Sequence, residues 1–148
     1  LGSWTTNAGA AAQGTAPGGF EGTSYFYPGN IQTGFAEQIV SLTAAGFTTA
    51  QLDASDLEVV FGGRLRSFAQ VPVDAGRVRI SFLDAGNVTL RVDEARALNV
   101  ADRWELVGDR VQIPTGARTV VFRYVADRTN GTSNDAYLDA AFLAVVSE

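Results

Sequence analysis

Asp139 stands inside the run Asn134 to Val145, where apolar and polar residues alternate after a Gly/Ser/Asn cluster. Period-two alternation predicts a half-buried β-strand. A carboxylate at a sheltered strand position must be paired, hydrogen-bonded or metal-bound. Asp135, at the loop end of the same run, reads as a turn cap.

The second reactive set is cationic. All eleven basic residues are Arg, and Lys is absent. Coding bias explains that as readily as chemistry does, but a guanidinium also grips carboxylate or phosphate in two-pronged fashion. If Val78, Ile80 and Phe82 face a core, Arg79 faces away. If Val120, Phe122 and Tyr124 face it, Arg123 faces away as well. Burying Phe61 and Leu65 exposes Arg64 and Arg66. These four either share a groove or lie on solvated faces, paired with acids such as Asp127, Asp84 or Glu58 at little energetic value.

Aromatic residues form the third set. Tyr25 and Tyr27 share one strand face beside the turn Pro28-Gly29-Asn30, with Phe26 on the other. They are either an exposed platform or a buried pair. Trp104 reads as a packing residue. Glu21, Glu58, Asp127 and Asp139 are the carboxylates that could pair as acid and base, yet nothing in the sequence makes two of them converge. With no His and no Cys, the usual neutral-pH base, thiol nucleophile and transition-metal ligands are missing. The reading is non-enzymatic.

These residues need short strands to hold them. Ser24 to Tyr27, Phe35 to Leu42, Leu57 to Phe68, Arg77 to Leu83, Val88 to Val92, Trp104 to Ile113, Thr119 to Ala126 and the final run all read as strands. Turn signals separate them. Thr5 to Gly19 reads as a short strand and loop. Thr48 to Asp56 is at most a helical turn, and Asp93 to Asp102 is a loop or short helix. Gly62-Gly63 within a strand predicts a bulge or a close backbone approach, and Gly108-Asp109 predicts a break. The pattern is that of an all-β antiparallel sandwich, with a jelly roll leading. The 148 residues are read as one domain, 1–148. The absence of Met, even at position 1, predicts a fragment or processed product. A net charge of −5 disfavours nucleic acid. No apolar run approaches the roughly 18 residues of a membrane span.

Several stretches, in chain order, resemble bacterial and phage jelly-roll modules of the galactose-binding-like, carbohydrate-binding superfamily. Trp4-Thr5, Glu21 to Tyr27 and Ala36 to Leu42 are similar to their opening strands. Arg79 to Gly86 resembles a middle strand and turn. Trp104, Val111 to Val120 and Asn134 to Phe142 complete the order. Such modules occur in phage or gene-transfer-agent spikes and fibres, in adhesins and beside glycoside hydrolases. The resemblance implies non-catalytic binding of cell-surface or capsular polysaccharide by an extracellular, cell-surface or virion-associated protein. The rival roles are a structural domain of a spike or fibre, contacting other subunits, and an accessory domain of an absent hydrolase. On this reading Tyr25, Tyr27, Arg64, Arg66, Arg79 and Arg123 are the glycan candidates, with an acidic sugar expected if the arginines meet. The resemblance also implies a structural Ca²⁺ at Asp139, with Glu21 and the region of Thr23 as companions. Many relatives begin with an acidic strand before the tryptophan, and the sequence starts too late to show it.

Overall fold

The computed structural model describes residues 4–7, 17–98 and 101–147. Its strands are β1 (Thr5–Thr6), β2 (Thr33–Ser41), β3 (Leu57–Ser67), β4 (Ala75–Leu83), β5 (Thr89–Arg96), β6 (Glu105–Gln112), β7 (Thr119–Asp127) and β8 (Ala136–Ser147), with one helix, α1 (Thr49–Asp53). They form two antiparallel sheets, ordered β1-β2-β7-β4-β5 and β6-β3-β8. This is the expected sandwich. The segment around Phe26 extends the smaller sheet along β8. Phe26 N–H donates to the Leu138 carbonyl at 2.8 Å, and Leu138 N–H returns a bond at 3.2 Å.

Alternation decides what lies between the sheets. Val78, Ile80 and Phe82 on β4, Val120, Phe122 and Tyr124 on β7, and Val59, Phe61 and Leu65 on β3 are all buried in one core. The registers expected for these three strands therefore hold. Trp4 packs edge-on against Phe122, with ring centroids 5.6 Å apart. The helical turn over Thr48 to Asp56 is real but short. Thr48 and Gln51 cap it reciprocally and Leu52 anchors it.

Two expectations are corrected. Asp93 to Arg96 is strand, because β5 keeps pairing with β4 down to Arg77↔Arg96. Gly108-Asp109 does not break β6, which pairs with β3 throughout. The expected irregularity at Gly62-Gly63 is present as a register shift between Gly62 and Arg64. The extra residue sits on β8, where Ala140 takes φ 45°. That bulge returns Leu143 and Val145 to the core side after Leu138. A Cβ on Gly62 would lie 2.3 Å from the Val107 carbonyl oxygen, and one on Gly108 would lie 2.4 Å from that of Phe61. The two glycines thus let β3 and β6 approach closely.

Candidate functional site

The outer face of the five-stranded sheet carries a row of charges. Cross-strand register places Glu37 (β2) beside Arg123 (β7), Arg123 beside Arg79 (β4), and Arg79 beside Glu94 (β5). With strands about 4.8 Å apart, the row runs about 14 Å across the sheet. Two guanidinium groups directly opposite each other repel. The flanking acids offset this: Glu37 binds Arg123 Nε, and Glu94 binds Arg79 through Nε at 2.7 Å and through Nη2. Arg123 also lies over the Phe35 ring, 4.6 Å from its centroid.

Burial would raise the Glu94 carboxyl. The Arg79 hydrogen bond and charge, helped by Arg96 and Arg77, outweigh it and hold the group below the usual glutamate value. The acid side chains are only 11% and 18% exposed, whereas both arginines are 37% exposed. A guanidinium has five N–H donors, so these ion pairs leave others for a ligand. Arg79 and Arg123, with Ser81, Thr89, Val121 and Glu37, line a cavity of about 250 Å³. Exposed Ile39 and Val92 stand in the adjacent cross-strand row with Val121 and Ser81. The surface therefore offers hydrogen-bond donors, acceptors and apolar contact, with the row's charges balanced.

The four predicted arginines do not share a groove. Arg79 and Arg123 lie on this face. Arg64 and Arg66, on β3, face outward from the other sheet. The physical reason is topological: a sandwich has two outer faces, and β3 lies opposite β4 and β7. Arg66 pairs with Asp102. Three of the four are therefore neutralised by an acid. The acidic preference expected of a shared arginine groove has no geometric basis on the five-stranded sheet.

Tyr25 and Tyr27 do share a face, but not as an open platform. Tyr25 is buried against Tyr137 (5.1 Å) and Trp104 (5.8 Å), and half-buried Tyr27 joins at 5.8 Å from Tyr137. Trp104 Nε1 donates to the Gly18 carbonyl at 3.1 Å, as fits a packing role. Burial raises the Tyr25 and Tyr137 hydroxyls above their ordinary range. The Tyr137 hydroxyl donates to Asp135 at 3.0 Å. Burial also raises Asp135, so this acid is more than a loop cap.

Asp139 has its partners in the main chain. Its Oδ2 accepts the N–H groups of Phe20 (2.7 Å) and Glu21 (3.0 Å), and its Oδ1 accepts that of Ala140 (2.7 Å). Ca²⁺ requires six to eight oxygen ligands. The carbonyl oxygens of Glu21 and Gly22 and Asp139 Oδ2 each lie within 3.4 Å of where a Cβ on Gly19 would stand. However, Glu21 offers Asp139 an N–H, and both carboxylate oxygens already carry donors. Among the described residues no group of three or more acids forms a cation cluster. As arranged, these residues do not fit the ion.

The carboxylates considered for acid–base pairing have separate partners. Glu58 binds Arg110, and Asp127 binds Arg77 and the Thr33 hydroxyl. Sequence reading missed Glu37 and Glu94 as site residues. Glu37 had a signal, since it alternates away from buried Ala36. Glu94 had none, because its segment did not read as strand.

No protein-family model matches the chain, and no curated protein matches it significantly. Solved structures do. The chain is similar to the enzymatically active domain of bacteriophage CBA120 tailspike protein 4, with TM-score 0.66 and 10% identity over 97% of this chain. It spans only 19% of that tailspike chain. It is similar to the C-terminal family 22 carbohydrate-binding module of Clostridium thermocellum Xyn10B, with TM-score 0.61 and 16% identity, over 98% of this chain and 87% of that one. A third likeness is to the CBM22-1 xylan-binding domain of Paenibacillus barcinonensis Xyn10C, with TM-score 0.60 and 14% identity, over 99% and 87% of the two chains. At such identities the likeness shows the fold alone, a β-sandwich jelly roll. Among the described residues no helix is long and apolar enough to cross a membrane.

Proposed function

We propose that this chain is a non-catalytic glycan-binding module of an extracellular, cell-surface or virion-associated protein, and that it binds on the outer face of the five-stranded sheet. The observation that carries this reading is the Glu37–Arg123–Arg79–Glu94 row above its cavity. Sugar hydroxyls both donate and accept hydrogen bonds, and a charge-balanced Arg/Glu row does the same. The apolar neighbours Ile39, Val121 and Val92 suit the C–H faces of a sugar ring. Fold likeness supports the class: one similar structure is described through amino acids in its cleft that act in ligand binding, and another as a xylan-binding domain. Fold alone does not carry function, so the row is the part to test.

The ligand of this face is a neutral polysaccharide, because the row has no net charge to reward an acidic one. A glycan array probed with the purified chain tests the class. Xylan or another neutral glycan should bind, and Arg123→Ala or Glu37→Ala should weaken that binding at unchanged melting temperature. Retained binding in both variants would move the site off this face. The assembly-domain alternative draws on the tailspike likeness. An array on which nothing binds, together with a stable oligomer in solution, would favour it.

A further inference from the structure

The outer face of the smaller sheet holds a different combination of groups. Phe142, Gly62 and Gly108 form one cross-strand row over β8, β3 and β6. A Cβ built on Gly62 would lie 2.7 Å from Phe142 Cζ, and one on Gly108 would lie 3.3 Å from the same atom. The Phe142 side chain thus lies across the sheet, with its tip above the two glycines. It keeps 37% exposure on β8. Such a ring covers the gap left by missing side chains, and it also presents an aromatic floor to solvent.

Arg64 stands on the same face of β3, two residues from Gly62, or about 7 Å along the strand. Its guanidinium lies over Phe20, 4.2 Å from the ring centroid. Phe20 itself is 43% exposed, and its N–H is held by Asp139. Arg64 pairs in register with Asp139, but that carboxylate is bonded to main-chain donors. Of the four arginines predicted from sequence, it is the one in no salt bridge among the described residues. An aromatic support fixes the plane of its fork, and no carboxylate among the described residues holds that fork in an ion pair.

We infer that this face is a second glycan contact, selective for a sugar that bears a carboxylate. The ring of a uronic acid would rest on Phe142, and its carboxylate would take the two-pronged hydrogen bond of Arg64. The inference rests on the reading that the chain binds glycans, but it uses residues on the opposite side of the sandwich from the charge-balanced row. The two faces would let one module hold two strands, or two parts of one strand, of a mixed polysaccharide.

The test titrates the intact chain with trigalacturonate and with xylotriose, followed by calorimetry and amide NMR shifts. Trigalacturonate should bind and shift amides on β3 and β8. Arg64→Ala and Phe142→Ala should each weaken it at least tenfold, and Arg64→Lys should weaken it nearly as much because the planar fork is lost. Phe142→Tyr should retain it, and Phe142→Leu serves as a second variant should the alanine form unfold. Binding should fall with added salt. Arg123→Ala should leave trigalacturonate affinity unchanged while weakening xylotriose. The inference is overturned by no trigalacturonate binding in the wild-type chain, by wild-type affinity in both Arg64→Ala and Phe142→Ala, or by loss on Arg123→Ala instead. The last would leave the glycan-binding reading standing with one site. Equally tight capture of an acidic peptide would replace the sugar with a protein partner and likewise overturn it.

Discussion

Asp74 is fully buried, and it clips the loop that leads into β8. Its Oδ1 accepts the Thr129 N–H at 2.6 Å, the Thr129 hydroxyl at 3.1 Å and the Asn130 N–H at 3.3 Å; its Oδ2 accepts the Asp135 N–H at 2.7 Å. Asp74→Ala would strand three main-chain donors, while the Thr129 hydroxyl keeps the Val73 carbonyl at 2.7 Å. Hydrogen bonds to a charged group contribute about 1.5–3 kcal/mol each, and an orphaned buried donor costs about 1–3 kcal/mol. Thr129 and Asn130 are exposed residues, so water can replace part of this loss. Half-buried Asp135 has less access. The expected destabilisation is about 3–5 kcal/mol, a large share of the roughly 5–15 kcal/mol that holds a typical domain together. Asp74→Asn keeps only one acceptor oxygen and should lose at least half as much. Urea unfolding measures it: with a slope near ~2 kcal/mol per molar, the midpoint should fall by about 2 M at unchanged slope. Amide exchange at Thr129, Asn130 and Asp135 should accelerate at the same time. A loss below about 1 kcal/mol, with those amides still protected, would show that Asp74 is not what anchors the loop.

Three further outcomes follow from the same geometry. Melting curves with calcium and with chelator should coincide, and Asp139→Ala should lower both equally, by about 1–2 kcal/mol, because water can reach the exposed Phe20 and Glu21 N–H groups; a calcium-dependent rise that disappears in Asp139→Ala would instead place an ion there. Gly62→Ala should destabilise the chain by more than about 2 kcal/mol, since the new Cβ meets the Val107 carbonyl and the Phe142 ring; a melting temperature equal to wild type would rule out the close strand approach. Glu94 and Asp127 have carboxyls lowered by their arginine partners against the opposing effect of burial. Their stabilisation is therefore complete above the ordinary carboxylate range, about pH 4, and is lost as pH falls through their lower folded values. Urea titrations from pH 7 to pH 3 should show that decline, and Glu94→Gln should make it shallower.

Alternation carried the reading of most of the fold. Val78-Ile80-Phe82 and Val120-Phe122-Tyr124 allow only one inward register, because a slip of one residue turns every core side chain to solvent. The doubled glycine in β3 and the turn residues between strands were legible for equally local reasons. β5 was not. Asp93, Glu94 and Arg96 lack the composition of a strand, and they become one because β4 supplies a partner edge.

The site divides along the same line. Sequence alone placed Arg64, Arg66, Arg79 and Arg123 on noncore faces, since that depends only on period two. Which face each occupies depends on the order of strands in two sheets, and that is a long-range property. Strand order set Arg123 between Glu37 and Arg79, and it put Arg64 on the far side, beside Phe142. Burial of Tyr25 likewise came from Trp104 and Tyr137, distant in sequence and brought together by the sandwich. Asp139 shows the division most clearly. Its position in an apolar strand demanded a partner on energetic grounds alone. That the partner is a pair of N–H groups more than a hundred residues away was decided only when the segment at Phe20 and Glu21 settled beside β8.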